Sequence, residues 1–274
     1  MLGRPLASAP SAVLATLARW RARARASLLA AWHVLLLAAE LLVLVLHPVT
    51  YRTTGQRQRL MRQLVQLVPA LIWPFLAVAA LLGLVLIRIV VTTAQQYGLS
   101  QYALEVVVRT LVLELMPLGA ALFVAVRAAL PVAQAWRRQL VALSRQGRAP
   151  SHAQLLMGEL APRAFALGFA VLLLSGLAGA LMLVLSYLSV YGLSPWGWPF
   201  YTEAVGGVFT PAVTLIWVLK TLAMATAVAV VPLAGGAWAH TQGEPLRRSD
   251  MAELARLSLV LLALQTASLV GNYY

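Results

Sequence analysis

Five apolar runs, at roughly 69–93, 103–131, 163–188, 211–236 and 252–273, constrain this chain more than any other feature. A helix needs about 20 apolar residues to cross the hydrocarbon core of a bilayer, and each run supplies them. Within that core the backbone must satisfy its own hydrogen bonds, which a helix does within one segment. The composition agrees. The chain is 61% hydrophobic and 11% charged, with a mean hydropathy of +0.83, whereas soluble domains sit near half apolar and a quarter charged. The sequence therefore predicts an all-α integral membrane protein.

Basic residues assign the sides. Arg52, Arg57, Arg59 and Arg62 precede the first run, Arg137, Arg138, Arg145 and Arg148 follow the second, and Arg247 and Arg248 follow the fourth. The loops at 94–102 and 189–210 and the tail "GNYY" contain no Lys or Arg. Because cytoplasmic loops carry the excess of Lys and Arg, the N-terminus is expected inside, the C-terminus outside, and the crossings five. The net charge of +13 is thereby a topology signal. Its arginines lie between apolar spans and not on one soluble face, so no nucleic-acid partner is expected.

A sixth apolar run, 27–46, is flanked by arginines on both sides. Crossing would put one cluster on the wrong face, so an interfacial or re-entrant helix is expected. The alternative is a sixth span with an outside N-terminus. The preceding "RWRARARASLLAAWHVLLLAAELLVLVLHPV" has the order of a signal sequence, but its apolar run is long and no A-x-A site follows, so it is read as retained. The organisation expected is a cytoplasmic N-terminus over 1–62 and a five-span domain over 63–274. Within the latter, 132–162 forms a cytoplasmic segment of one or two short amphipathic helices, broken near Gly147 and Pro150. The outer loop 189–210, rich in Trp, Tyr, Pro and Gly, reads as an interfacial aromatic belt or as a docking lip for an extracytoplasmic partner.

Enzyme chemistry has little to stand on. There are no cysteines, no G-x-x-x-x-G-K-[ST], no G-x-S-x-G and no H-E-x-x-H, and His33, His47, His152 and His240 are scattered singly. No catalytic residue, metal site or cofactor is expected in this chain. Charge inside the spans stands out instead. Glu105 and Arg109 are spaced to pair along one helix face, Glu114 follows, and Lys220, the only lysine, lies deep in the fourth span. A charge at that depth costs about 2.5–3.5 kcal/mol on insertion scales and normally faces a partner or a cavity. Glu114 therefore either neutralises Arg109 or Lys220 to hold helices together, or serves a transport path.

The second span, "LELMPLGAALFVAVRAA", resembles the L-R-E-L-G-P…A-G-R-A-G stretch of MlaE/YrbE-type permeases. Glu114, Leu115 and Pro117 match its E-L-x-P element, and Arg127-Ala128 the later R-A. "APRAFA" at 161–166 is similar to the family's S-P-R-x-x-A, and Lys220 falls where the family carries a lysine. The resemblance covers about 55–274. It implies the membrane subunit of an ABC transporter in the bacterial inner membrane that moves phospholipid or a related lipid between inner and outer membranes with an MCE protein. ATP would be bound by a separate cytoplasmic P-loop ATPase, and a second permease copy, identical or not, would complete a dimer. Glu114, Pro117, Arg109 and Lys220 would serve the lipid path or helix pairing, with Pro117 bending the span; Arg127, Arg137, Arg138, Leu140, Leu143 and Arg163 would couple to the ATPase.

The chain departs from the family at Met116 and Ala129, which replace glycines, and at Gln265, which replaces an aspartate. The basic "WRRQLVALSRQG" replaces an acidic coupling segment. These changes suit a divergent branch or one member of an unequal pair. Two rival readings remain: a non-transporting scaffold or degenerate partner in a permease heterodimer, and an ion-coupled secondary transporter. The latter predicts inverted repeats, and five spans divide badly into halves.

Overall fold

The computed structural model describes residues 54–146, 159–241 and 250–273, with a few positions between 36 and 43. The expected interfacial helix at 27–46 and the break near Gly147 and Pro150 lie almost wholly outside these residues. The described residues form helices and no strands: α1 (Thr54–Gln96), α2 (Ser100–Val107), α3 (Met116–Val124), α4 (Leu130–Arg145), α5 (Ala161–Tyr191), α6 (Trp198–Val208), α7 (Pro211–Thr241) and α8 (Asp250–Tyr273). Five stretches are long and apolar enough to cross a bilayer: Arg57–Gln96, Tyr102–Leu143, Ala161–Tyr191, Pro211–Ala234 and Glu253–Gly271. The all-α, five-span architecture expected from the sequence is the one observed.

Two boundaries differ from expectation. The division at 62/63 falls inside α1, because "TGQRQRLMRQL" is rich in good helix formers and holds no proline to stop the helix. The second span does not end at 131. Its helix runs on through α4 to Arg145, so the first half of the expected 132–162 segment is a continuation of the membrane helix and not a separate piece. Two prolines lie within this long helix. Pro117 and Pro131 do not end the helix, because each follows a π-helical stretch, Val108–Leu115 and Ala125–Ala129. Met116 N–H bonds Leu111 O and Leu130 N–H bonds Ala125 O, one residue further back than in an α-helix. A proline ring normally meets the carbonyl four residues before it; the wider turn moves that carbonyl aside just ahead of each ring.

α5 is the centre of the bundle, packed against α1, α7 and α3. Small residues permit this. Ala120, Ala121, Ala125 and Ala129 on the second helix and Ala161, Ala164, Ala170 and Ala178 on α5 are all fully buried. Where surrounding lipid is as apolar as leucine, helices associate by close packing of such residues. Outward faces carry large apolar side chains, among them Trp73, Leu81 and Val85 on α1 and Leu259 and Leu262 on α8.

α8 is the least embedded span. Among its described side chains, the buried ones are Glu253, Leu257, Leu261 and Gln265, one every fourth residue. A stripe with that spacing winds slowly about the helix, so α8 lies inclined across its neighbours.

At the end free of Lys and Arg, α5 stops at Gly192, whose φ of 65° suits a residue without Cβ and whose N–H bonds Leu188 O. The loop then folds back as α6. The buried Tyr201 hydroxyl donates to Leu183 O at 2.7 Å and lies 3.2 Å from Ser186 Oγ. Tyr187, Tyr191 and Trp198 stack about it with ring centroids 5.1–6.3 Å from its own. A Cβ at Gly197 would sit 2.4 Å from the Tyr191 ring, so a larger residue there requires the ring to move.

Candidate functional site

The π-helical turn before Pro117 carries Glu114, and two other helices reach it. Lys220 from α7 donates to Glu114 Oε2 at 2.5 Å, and Gln265 Nε2 from α8 donates to the same oxygen at 2.5 Å. The Lys220 side chain is 2% exposed and that of Glu114 14%. Three spans are therefore tied at one carboxylate inside the bundle. One negative and one positive charge cancel there, and Gln265 adds a donor without adding charge. The adjoining cavity, between Leu113, Trp217, Lys220 and Ser268, measures about 10 Å³, close to the volume of one water-sized probe. As built, this is a closed polar junction between helices with no room for a lipid.

Arg109 takes no part in it. Its guanidinium meets Glu105 at 3.2 Å, one turn back on the same helix, and both side chains are more than a third exposed. Such a pair contributes roughly 0–1 kcal/mol. Pro117 is buried directly after Glu114's π-turn.

The residues expected to face an ATPase divide into two sets. Arg137 is buried, 8% exposed, and forms an ion pair with Glu253 at the start of the α8 span. Leu140 is 1% exposed. Both point into the bundle, because α4 is the membrane helix prolonged and keeps its inward face. Arg127 and Arg138 are exposed and Leu143 is half-buried. Arg163, at the start of α5, lies over the Trp136 ring with Cζ 5.0 Å from the centroid. Its Nη2 donates to Glu159 at 3.0 Å and to Gln139 at 3.3 Å, and Glu159 also meets Arg59 of α1 at 3.3 Å. The starts of α1 and α5 are thus laced to α4.

Two participants were not singled out as site residues from the sequence: Gln265, named there only as a departure from an aspartate, and Glu253. Their signal was the four-residue spacing Glu253, Leu257, Leu261, Gln265, which marks one inward stripe with a polar residue at each end.

No curated protein matches the chain. The family model described as Permease MlaE matches residues 60–268, which take in nearly the whole of the bundle and the Glu114–Lys220–Gln265 junction. The chain belongs to the MlaE permease family and is a multi-pass permease subunit of the ABC type.

Proposed function

We propose that the protein moves phospholipid or a related lipid across the bacterial envelope, as the inner-membrane subunit of a transporter whose ATP is bound by a separate P-loop ATPase and whose periplasmic partner carries an MCE domain. A second permease copy completes the membrane portion. The family match over 60–268 carries this reading. The structure supports it in two ways. The large apolar side chains on the outward faces of α1 and α8, among them Trp73, Leu81, Val85, Leu259 and Leu262, suit lipid and a second copy, and the exposed Arg127 and Arg138 with half-buried Leu143 offer a cytoplasmic face for the ATPase.

The Glu114–Lys220–Gln265 junction holds the second, fourth and fifth spans in the conformation seen here. Any opening between those spans large enough for a lipid has to separate these groups or move them as one body. A transport step that breaks the junction exposes a carboxylate and an ammonium together, so their charges become available to a headgroup at the moment the path opens.

The test is reconstitution with a P-loop ATPase and an MCE-domain protein in vesicles holding fluorescent phospholipid. ATP should drive lipid transfer to acceptor vesicles, and Arg138→Glu should abolish it without loss of the assembled complex. The scaffold reading has its own support: Arg137 and Leu140 are turned inward, which leaves a thin coupling face. A complex that assembles stably yet never couples ATP to lipid movement would select it.

A further inference from the structure

Arg88 interrupts the apolar run of α1 about 6 Å of helix before Thr92, the first polar residue beyond it on the outer side. Its side chain is exposed. On the same helix face, seven, four and three residues back, stand Leu81, Leu84 and Val85, all exposed as well. Five charged residues on the described spans lie nearer the outer loops than the basic ones: Arg88, Glu105, Arg109, Glu114 and Lys220. Glu105 pairs with Arg109, and Glu114 with Lys220. Arg88 has no ion pair or hydrogen bond among the described residues.

The position is unfavourable on two counts. Lys and Arg are concentrated on the cytoplasmic side of membrane proteins, and Arg88 stands toward the other. A charge inside a span normally faces a partner or a water-filled cavity, and this one points outward among leucine and valine side chains. Outer headgroups answer it poorly. In a helix every Cα–Cβ bond tilts toward the N-terminus, and α1 runs from the basic end to the outer loop, so the Arg88 side chain leaves its backbone toward the bilayer interior. A second copy answers it no better. The carboxylates on its described spans, Glu105, Glu114 and Glu253, each already hold a base of their own chain, and Glu203 lies outside the spans on α6.

We propose that this face of α1 docks a transmembrane helix of a different chain, one that carries an Asp or Glu in its outer third, opposite Arg88. A guanidinium can hold such a carboxylate through two parallel N–H donors. Leu81, Leu84 and Val85 supply the apolar contact beneath the pair. Apolar side chains alone would let the incoming helix slide or turn against lipid-like surroundings; one charge pair fixes its depth and its rotation together. Docking of this kind goes beyond the transport reading and does not rest on it, since a scaffold would use it equally.

The probe is a synthetic leucine–alanine helix of membrane-spanning length with a single Glu about 6 Å below its outer end, compared with versions carrying Gln or Lys there. The chain has no cysteine, so Gln95→Cys gives full-length protein one fluorophore near Arg88. Energy transfer to labelled peptide then reads association in vesicles of phosphatidylcholine and phosphatidylglycerol. The Glu peptide should bind about tenfold more tightly than the Gln peptide, the size of interhelical polar contacts in model peptides. Arg88→Leu should abolish the difference, Arg88→Lys should keep part of it, and Arg88→Glu should transfer the preference to the Lys peptide. Because Arg88 faces outward, all three variants should melt with the parent. Equal binding of the Glu and Gln peptides overturns the proposal, as does a preference that survives Arg88→Leu. Two other occupants have signatures of their own. Self-association without peptide, lost in Arg88→Leu, assigns the face to a second copy. Equal peptide binding, with retained phosphatidylglycerol that falls in Arg88→Leu, assigns it to a headgroup. Either result overturns the partner helix.

Discussion

Glu114 and Lys220, 106 residues apart in sequence, meet at 2.5 Å in the interior of the bundle. Removing one partner of a buried pair typically costs about 3–5 kcal/mol, whereas removing both together costs far less. Glu114→Gln should therefore lower the melting temperature of the detergent-solubilised protein markedly, and adding Lys220→Met should recover most of the loss. A double-mutant cycle on melting temperature reads the coupling. Additive losses would mean that the two charges do not stabilise one another.

Arg137 and Arg138 are neighbours with opposite surroundings. Arg137→Glu places a second carboxylate against the buried Glu253 and should destabilise by about 3–5 kcal/mol. Arg138→Glu, on the exposed face, should stay within about 0.5 kcal/mol of the parent and lower ATPase coupling alone. Equal melting temperatures for the two variants would remove Arg137 from the interior.

Gly197→Ala should displace the Tyr191 ring, because the added methyl would otherwise lie 2.4 Å from it. Overpacking of this kind costs typically about 1–3 kcal/mol. The readout is a lower melting temperature with a changed near-ultraviolet circular dichroism signal from the Tyr187–Tyr191–Trp198–Tyr201 cluster. An unchanged spectrum would count against the packing described for α6.

Burial pushes the Tyr201 hydroxyl above the ordinary tyrosine range, with the Ser186 hydrogen bond acting in the opposite direction and Tyr191 reinforcing the rise. A proton held more tightly in the folded state gives stability that is complete below the unfolded value of about 10. That stability is lost as pH rises through the higher folded value. Melting temperature should accordingly fall above about pH 10, and Tyr201→Phe should flatten that part of the curve. An identical alkaline limb in the variant would assign the fall to other groups.

Topology is open to a direct measurement. A reporter fused after Tyr274 should report the periplasm and one inserted at Gly147 the cytoplasm, since an odd number of crossings separates them. Agreement between the two reporters would refute the five-crossing arrangement.

The spans were legible because hydropathy over about 20 residues is a strong and local signal. Helix ends were not. Thr54 to Arg62 looked like a basic flank, yet nothing in it stops a helix, and α1 simply absorbs it. Pro117 reads as a bend, but the π-turn that precedes it depends on backbone geometry that residue type does not encode. The Glu114–Lys220 contact was among the alternatives open in the sequence, because a lone lysine in a span has few partners to choose from. Assigning Arg137 to a docking face failed for a related reason. Its partner, Glu253, lies 116 positions away, and the arginine clusters of membrane proteins are usually solvated flanks, so nothing local marked this one as buried. Trp136, whose ring lies under the Arg163 guanidinium, carries no signal of its own.

The stripe on α8 has a consequence for how the last span finds its place. Two leucines alone, Leu257 and Leu261, would pack almost as well if the helix slid by one turn along its own axis, about 6 Å for four residues. Glu253 and Gln265 forbid the slide. Shifted one way, Leu257 would face Arg137; shifted the other, Leu261 would face Glu114, and each shift strands a charge in hydrocarbon. The polar residues act as end stops on a lightly held helix. Its vertical position in the membrane is set by where the stops engage, and the greasy middle is left free of any duty to specify register.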